Sequence, residues 1–387
     1  MNESSAMIDP AAPRSSPSPS SNGGNVPPVE RCVDVCAVVV TFNPEFDPLR
    51  ALLRALHAQV GRIFLIDNGS TDDVAAQLPP EAANAIEFVR NAQNLGIAAA
   101  QNQGAARALA WSGCRYVLLS DQDSLPSAYM VWRLRQTLER DRNDAINNSE
   151  DKPGRPFGYA AGSLAAVGPW SIDIRSGARA VLVVDPKGWP VRWLPEPRPV
   201  RPRAPPQVPY EVSFLIASGC LIPAGVLKTL GGMRSNYFID HVDTEWCLRA
   251  RAAGYRLFIV PDAILNHRLG DSTQRVWFFG FRHVAHHSPL RDYYMFRNTI
   301  LMLGDVSLTS PWRLHLLVRL VLFAAYFVVF GNRRIRRMRF MVLGVAHGLR
   351  RRSGRLQPDT LVLDALDPTS LDPVRPLQLS GHNVRDA

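Results

Sequence analysis

The stretch that decides the fold is Tyr116-Val-Leu-Leu-Ser-Asp-Gln-Asp-Ser124, a short apolar run that reads as a buried strand and stops on two carboxylates one residue apart. A strand that ends in Asp-x-Asp presents oxygens rather than packing surface. At the carboxyl edge of a parallel sheet, Asp121 and Asp123 can share a hard divalent cation with a diphosphate, because such cations take oxygen ligands and keep phosphates as partners. On its own the same tetrapeptide also suits a solvated turn that caps the next helix. The flanking sequence has to decide between them.

Upstream, Cys32-Val-Asp-Val-Cys-Ala-Val-Val-Val-Thr41 is β-branched and apolar and is closed by Phe42-Asn-Pro44, the pattern of a parallel strand buried on both faces. Thr41 and Asn43 then fall at its carboxyl end. Residues 48–59 place Leu49, Leu52, Leu53 and Leu56 on one helical face, and 62–69, which includes Asp67, returns as a second strand. Ser70 and Asp72 can cap the next helix, and 85–89 makes a third short strand. Asn94-Leu-Gly-Ile-Ala-Ala-Ala-Gln-Asn-Gln-Gly104 opens a helix expected to run through Trp111. So bare a surface lets another group approach closely: Gly96 suits a tight backbone turn, and Gln101 and Asn102 offer amide hydrogen bonds to a base or ribose. Alternation of strand and helix over residues 35–123 predicts a doubly wound α/β half whose ligand edge carries Asp121 and Asp123.

Composition bounds the rest. A chain of 387 residues, 46% hydrophobic, can bury a substantial core. Its net charge of +10 suggests nucleic acid until it is located: residues 311–355 hold eleven Arg and no Asp or Glu, so the remainder sums to about −1. Five scattered cysteines show neither disulfide nor zinc spacing and suit a reducing compartment. Residues 1–30 read as a flexible, Ser/Pro-rich leader without a secretory pattern, which predicts a cytoplasmic protein. Residues 186–209 hold nine prolines and predict an irregular excursion. Residues 160–169 and 212–222 read as further strands, the latter broken by Ser218-Gly219.

Val39-Val-Thr-Phe-Asn43, Leu65-Ile-Asp-Asn-Gly-Ser-Thr-Asp72, the Asn94 block and Asp121-Gln-Asp-Ser124, in that order and spacing, resemble the nucleotide-binding half of the family 2 glycosyltransferases. With Phe238-Ile-Asp-His-Val-Asp-Thr-Glu-Trp-Cys-Leu-Arg249 added, the chain is similar to the rhamnosyltransferases of that family. The resemblance implies a GT-A type α/β fold for nucleotide-diphospho-sugar transfer over 31–303. It also implies an inverting, divalent-cation-dependent enzyme (Mn2+ or Mg2+) that uses dTDP-L-rhamnose and acts in surface polysaccharide or lipopolysaccharide synthesis. Expected nucleotide-sugar contacts are Thr41, Asn43, Asp67, Asn94, Gly96, Asn102, Asp121 and Arg297. A family 2 enzyme using a UDP-hexose is an alternative, and a non-catalytic nucleotide-binding membrane scaffold is a third.

Inverting transfer needs one carboxylate to take a proton from the acceptor hydroxyl as it attacks the anomeric carbon. Asp240, Asp243 and Glu245 cluster where a helix begins, a position that the helix dipole alone would also favour. The resemblance puts the base at Asp243, with Asp240 second. It also assigns the metal to Asp123, Asp121 and His267, which follows a short strand at 256–262, and imidazole beside carboxylates suits manganese. His283, His286 and His287 read as a loop without a role. Arg291 and Arg297 start a helix, and either can neutralise a diphosphate; the family's Tyr-x-x-Arg-Asn block favours Arg297.

Residues 314–330 are apolar but interrupted by His315 and Arg319, leaving eleven uninterrupted residues, too few to span a bilayer. Arg333, Arg334, Arg336, Arg337 and Arg339 come next. An apolar helix joined to a cationic one over 304–355 predicts peripheral attachment to an anionic membrane surface and a saccharide or lipid-linked acceptor, not nucleic acid. Residues 356–387 form a polar tail. A shared catalytic site requires the acids near 122 and 243 to converge within about 15 Å.

Overall fold

The computed structural model describes residues 30–147, 163–174, 177, 208–267, 272–277, 281–286, 288–305, 308, 310–331 and 333–357. The leader, most of the proline-rich segment, the polar tail and His287 lie outside them.

Strand β1 (Cys32–Thr41) has the predicted bounds and pairs in parallel with both β2 (Val60–Asp67) and β4 (Tyr116–Asp121), while β3 (Ile86–Arg90) extends the sheet beyond β2. Between them run α1 (Phe46–His57) and α2 (Ile97–Ala110). Val35, Ala37 and Val39 of β1 belong to one core cluster with the leucines of α1, and Cys36 and Val38 to another with Ala98 and Ala108 of α2. The period-2 alternation of β1 therefore feeds two apolar layers, as expected of a strand buried on both faces. Asp73, not Asp72, caps the turn after β2: its Oδ1 accepts from the Ala75 and Ala76 amides at 3.1 and 3.3 Å.

The second half differs more from expectation. The chain continues through β5 (Ser124–Pro126), α3 (Met130–Asn147), β6 (Leu164–Asp173), β7 (Tyr210–Glu211), β8 (Leu221–Pro223), α4 (Ala224–Leu230), α5 (Val242–Ala252) and β9 (Arg256–His267). The sheet order is β3-β2-β1-β4-β8-β6-β9-β5, with β7 pairing β9. Of the predicted 212–222 strand only residues 221 and 222 lie in the sheet, as the start of β8. Gly219, at φ 81°, turns the chain so that its amide donates to the Leu119 carbonyl and Cys220 accepts from the Leu119 amide. Strand β9 runs to residue 267, so His267 sits on a strand rather than after one. β8 is antiparallel to β4, β6 antiparallel to β8, and β9 parallel to β6. By that parity β9 ends at the same edge of the sheet as β4, which brings His267 to the Asp-x-Asp end. The stretch holding His283 and His286 is strand, β11 (Phe281–His286), paired with β10 (Ser272–Trp277), and not the loop anticipated.

Three helices close the described chain: α6 (Pro289–Asp305), α7 (Ser310–Phe330) and α8 (Arg334–Leu349). Helix α8 lies against α6 at close range. A Cβ on Gly344 would fall 2.6 Å from the Tyr293 carbonyl oxygen, and one on Gly348 would fall 2.7 Å from Ile300 Cβ. Helix α8 is thus packed closely on α6. Helix α7 is continuous through His315 and Arg319, and Trp312–Phe330 is long and apolar enough to cross a membrane, a length that the count of eleven uninterrupted residues does not allow. The arrangement is a GT-A type α/β fold with an apolar helix near its C-terminus.

Candidate active site

Site residues gather where β1, β2, β4 and β9 end. Asp67 is fully buried, and its Oδ1 accepts hydrogen bonds from the Ser70 hydroxyl, the Ser70 amide at 3.3 Å and the Thr41 hydroxyl at 3.3 Å. Its Oδ2 is buried without a hydrogen bond, the Arg90 Nε lying 3.6 Å away. A buried carboxylate oxygen left short of donors suits an N–H, such as that of a pyrimidine imide. Thr41 thus orients Asp67. Asn43 holds the loop beyond β2 in place: at φ 45° its amide donates to Ser70 Oγ and its Oδ1 accepts from the Thr71 amide, both at 2.9 Å.

The Asn94 block makes hydrogen bonds within the protein. Asn94 Oδ1 accepts from Asn68 Nδ2 at 3.1 Å and from the Gly96 amide at 2.9 Å. Asn102 clasps the loop before α5, donating to the Met233 carbonyl and accepting from the Met233 amide, both at 2.7 Å. Gly96, at φ 89°, is needed because a Cβ there would sit 2.6 Å from the Phe238 carbonyl oxygen. The bare helix start therefore admits the loop carrying the second acid cluster. Gln122 likewise faces inward: its Oε1 accepts from the Phe42 amide at 2.7 Å and ties the Asp-x-Asp turn to the end of β1.

Asp123 and His267 are neighbours, as anticipated. Ser124 pairs with His267 across β5 and β9, Ser124 Oγ lies 2.8 Å from His267 Nδ1, and Asp123 Oδ1 lies 3.6 Å from the same nitrogen. Asp123 is 37% exposed, so its oxygens remain open to a ligand. Among the described residues no group of three His, Cys, Asp or Glu side chains surrounds a common point, so Asp121 does not complete a closed protein cage with them. The donor set that remains, one open carboxylate and one imidazole beside a second carboxylate, suits a divalent cation that draws its other ligands from phosphate and water.

The second acid cluster approaches from α5. Asp121 interacts electrostatically with His267, Asp123, Asp243 and Arg291, so the two predicted halves of the site do meet. Burial pushes the Asp121 carboxyl up to about 6, with His267 opposing and Asp123 and Asp243 assisting. Asp243 is also raised by burial, against hydrogen bonds from Thr244 and from the Ala217 backbone. Its Oδ1 accepts from the Thr244 amide at 2.7 Å. A raised carboxyl near two acids is suited to taking up a proton.

The two neighbouring acids are otherwise engaged. Asp240, the second choice for the base, has its Oδ1 accepting from Arg291 at 2.6 Å. Glu245 is completely buried between Arg234 Nε at 2.8 Å and Arg249 Nε at 2.9 Å and has a structural role.

Arg297, expected at the diphosphate, is turned into the protein. It is 1% exposed, stacks over Tyr293 and Tyr294, and donates to the carbonyls of Tyr237 at 2.9 Å and Gly354 at 2.5 Å. Asn298 Nδ2 adds contacts to the carbonyls of Tyr237, Ile239 and Asp240 at 3.0, 2.7 and 2.9 Å. The segment they hold is strained, since Phe238, Asp240 and His241 have φ of 66°, 64° and 61°. The Arg-Asn pair thus holds the acid-bearing loop in shape. The arginine facing the acids from α6 is Arg291, not the Arg297 that the resemblance favours.

Residues 36–173 match the family model described as "Glycosyl transferase family 2". A relative, the "dTDP-rhamnosyl transferase RfbF" of Shigella flexneri, is 27% identical over 317 residues, spanning 82% of this chain and 96% of that protein. Among solved structures, S. aureus TarS 1-349 is similar at a TM-score of 0.48 and 12% identity, covering 81% of this chain and 80% of that one. GalNAc-T7 with UDP, GalNAc and Mn2+ aligns at 0.42 and 16% identity over 62% of this chain and 44% of that one.

Proposed function

We propose that this chain, whose residues 36–173 match the glycosyl transferase family 2 model, is an inverting glycosyltransferase that transfers L-rhamnose from dTDP-L-rhamnose. The donor sugar is suggested by the 27% identical relative. The observation that carries the mechanism is the electrostatic contact between Asp121, at the end of β4, and Asp243, on α5.

In this reading the unsatisfied Oδ2 of Asp67 accepts the imide N–H of thymine. Asp123 and His267 would hold a divalent cation, Mn2+ or Mg2+, with Asp121 alongside, and the cation would supply positive charge for the donor diphosphate. Arg291 adds a second positive charge from α6. Asp243 takes the proton of the acceptor hydroxyl as that oxygen bonds to the anomeric carbon. The bond from that carbon to the diphosphate oxygen breaks, its electron pair leaves with dTDP, and the configuration inverts. The acceptor is a saccharide or lipid-linked saccharide of a surface polysaccharide under assembly, met at the anionic inner face of the cell membrane. The apolar α7 and the arginines of α8 support that location.

A panel of dTDP- and UDP-sugars, assayed for donor hydrolysis and by calorimetry with manganese, tests the proposal. It predicts a preference for dTDP-L-rhamnose. Turnover of a UDP-hexose with no response to dTDP-rhamnose would reassign the donor.

A further inference from the structure

Helix α7 carries one feature that the transfer reaction does not use. Its inward stripe begins with Trp312 and Leu316, 5% and 1% exposed, which share a core cluster with Val242 and Trp246 of α5. One turn further on, at the i+3 position from Leu316, stands Arg319, and the stripe resumes with Phe323 and the fully buried Phe327. Arg319 therefore faces the start of α5, not the outer side of the helix. It interacts electrostatically with Asp240, His241 and Asp243. Among the described residues, however, no carboxylate comes within 4.0 Å of its guanidinium and no hydrogen bond is made to it. It remains solvent-exposed.

The surroundings make this arginine unusual. Only 11% of the apolar window of α7 is buried, and Leu314, Val318, Val321 and Leu322 are exposed on it at 44–66%. An ionised side chain on a helix of membrane-like composition is costly unless it faces a polar cavity, and such residues commonly mark a substrate path. The groups it faces are acidic: Asp240 is paired with Arg291, whereas among the described residues neither Asp243 nor Asp121 has an arginine within 4.0 Å. An anionic acceptor entering there would be repelled unless a free cation stood at the mouth. Arg319 is that cation, and the apolar side chains beside it can accommodate a hydrocarbon chain.

We propose that Arg319 is an acceptor-binding residue that hydrogen-bonds the phosphate of a lipid-linked acceptor, with the lipid chain lying along the exposed apolar residues of α7. This rests on the transferase reading and names the chemistry of its second substrate: a phosphate or diphosphate ester on a hydrocarbon chain. A bilayer headgroup presents similar chemistry, so the test must separate the two sources.

Farnesyl diphosphate serves as the probe, titrated into the full-length protein in detergent with saturating dTDP to occupy the donor site. Wild type should bind it more tightly than farnesol or inorganic diphosphate. Arg319→Gln should weaken binding by about ten-fold or more, the loss expected for a charge-assisted hydrogen bond, and Arg319→Lys should fall between. Adsorption to phosphatidylglycerol–phosphatidylcholine vesicles, measured in parallel, should change less than about two-fold, because the arginines from 333 onward supply that attraction. Unchanged farnesyl diphosphate affinity in Arg319→Gln overturns the proposal. Loss of vesicle adsorption, with or without loss of the probe, also overturns it, in favour of a headgroup contact. Arg319→Lys provides the same comparison where the glutamine variant unfolds. Failure of the underlying transferase reading is separable, since it would show as absent dTDP binding in wild type.

Discussion

Asn298→Ala tests how the acid-bearing loop is kept in its strained shape. The wild-type amide is fully buried and donates to three carbonyls, of Tyr237, Ile239 and Asp240. Three residues of that loop, Phe238, Asp240 and His241, sit at positive φ, each at a cost of about 1–3 kcal/mol. Stranding buried carbonyls costs about 1–3 kcal/mol per group, so removing the amide forfeits roughly 3 kcal/mol or more, comparable with the strain it opposes. Because the two magnitudes are close, the loop should relax toward ordinary φ values and re-solvate its carbonyls instead of staying in place unsatisfied. Thermal unfolding should then fall by roughly 6–12 °C at about 2–4 °C per kcal/mol. Turnover should drop on the order of 100-fold as Asp243 shifts by about an ångström, while donor affinity, set by Asp67, Asp123 and His267 on other elements, changes little. A variant with the lowered melting temperature but turnover within two-fold of wild type would refute the idea that Asn298 positions the base.

Other substitutions separate the remaining roles. Glu245→Gln should lose about 2–3 kcal/mol of stability, because both arginines flanking the buried carboxylate lose their counter-charge, yet retain turnover per folded molecule; an unchanged melting temperature with abolished turnover would make Glu245 the base instead. Asp67→Asn should weaken dTDP binding by about ten-fold or more through loss of the charged acceptor, measured by calorimetry. Burial holds His241 neutral down to about 4, so the unfolded chain binds the proton first: its contribution to stability is complete above about pH 6.5 and is lost as pH falls toward 4. Replacing it with Asn, which tolerates the left-handed backbone at that position, should flatten the fall in melting temperature across that window.

The first half of the fold is legible because its signals are local. Cys32–Thr41 and Tyr116–Asp121 are uninterrupted apolar runs ended by polar or turn residues, and they form strands with the bounds expected. Beyond residue 200 the deciding contacts are distant. Residues 212–220 have a strand's composition, but Gly219 turns them across the end of β4, and that partner lies about a hundred residues upstream. The choice between Arg291 and Arg297 depends on which face of α6 meets α8. Gly344 and Gly348 decide it by letting that helix close over Tyr293, Arg297 and Ile300, which α6's own periodicity does not contain. The Asn94 block reads as a ligand surface because small residues permit close approach, and close approach does occur. The group that approaches is the Phe238 loop of the same chain.

Deprotonation of the acceptor by Asp243 is the step on which the proposed mechanism depends most. Asp243→Asn keeps the shape of the side chain and its acceptor oxygen for the Thr244 amide while removing its basicity. Single-turnover transfer from dTDP-L-rhamnose should slow by about 10²–10⁴-fold, with dTDP-rhamnose affinity within a few-fold of wild type. Transfer at the wild-type rate, or loss of donor binding in place of loss of transfer, would contradict it.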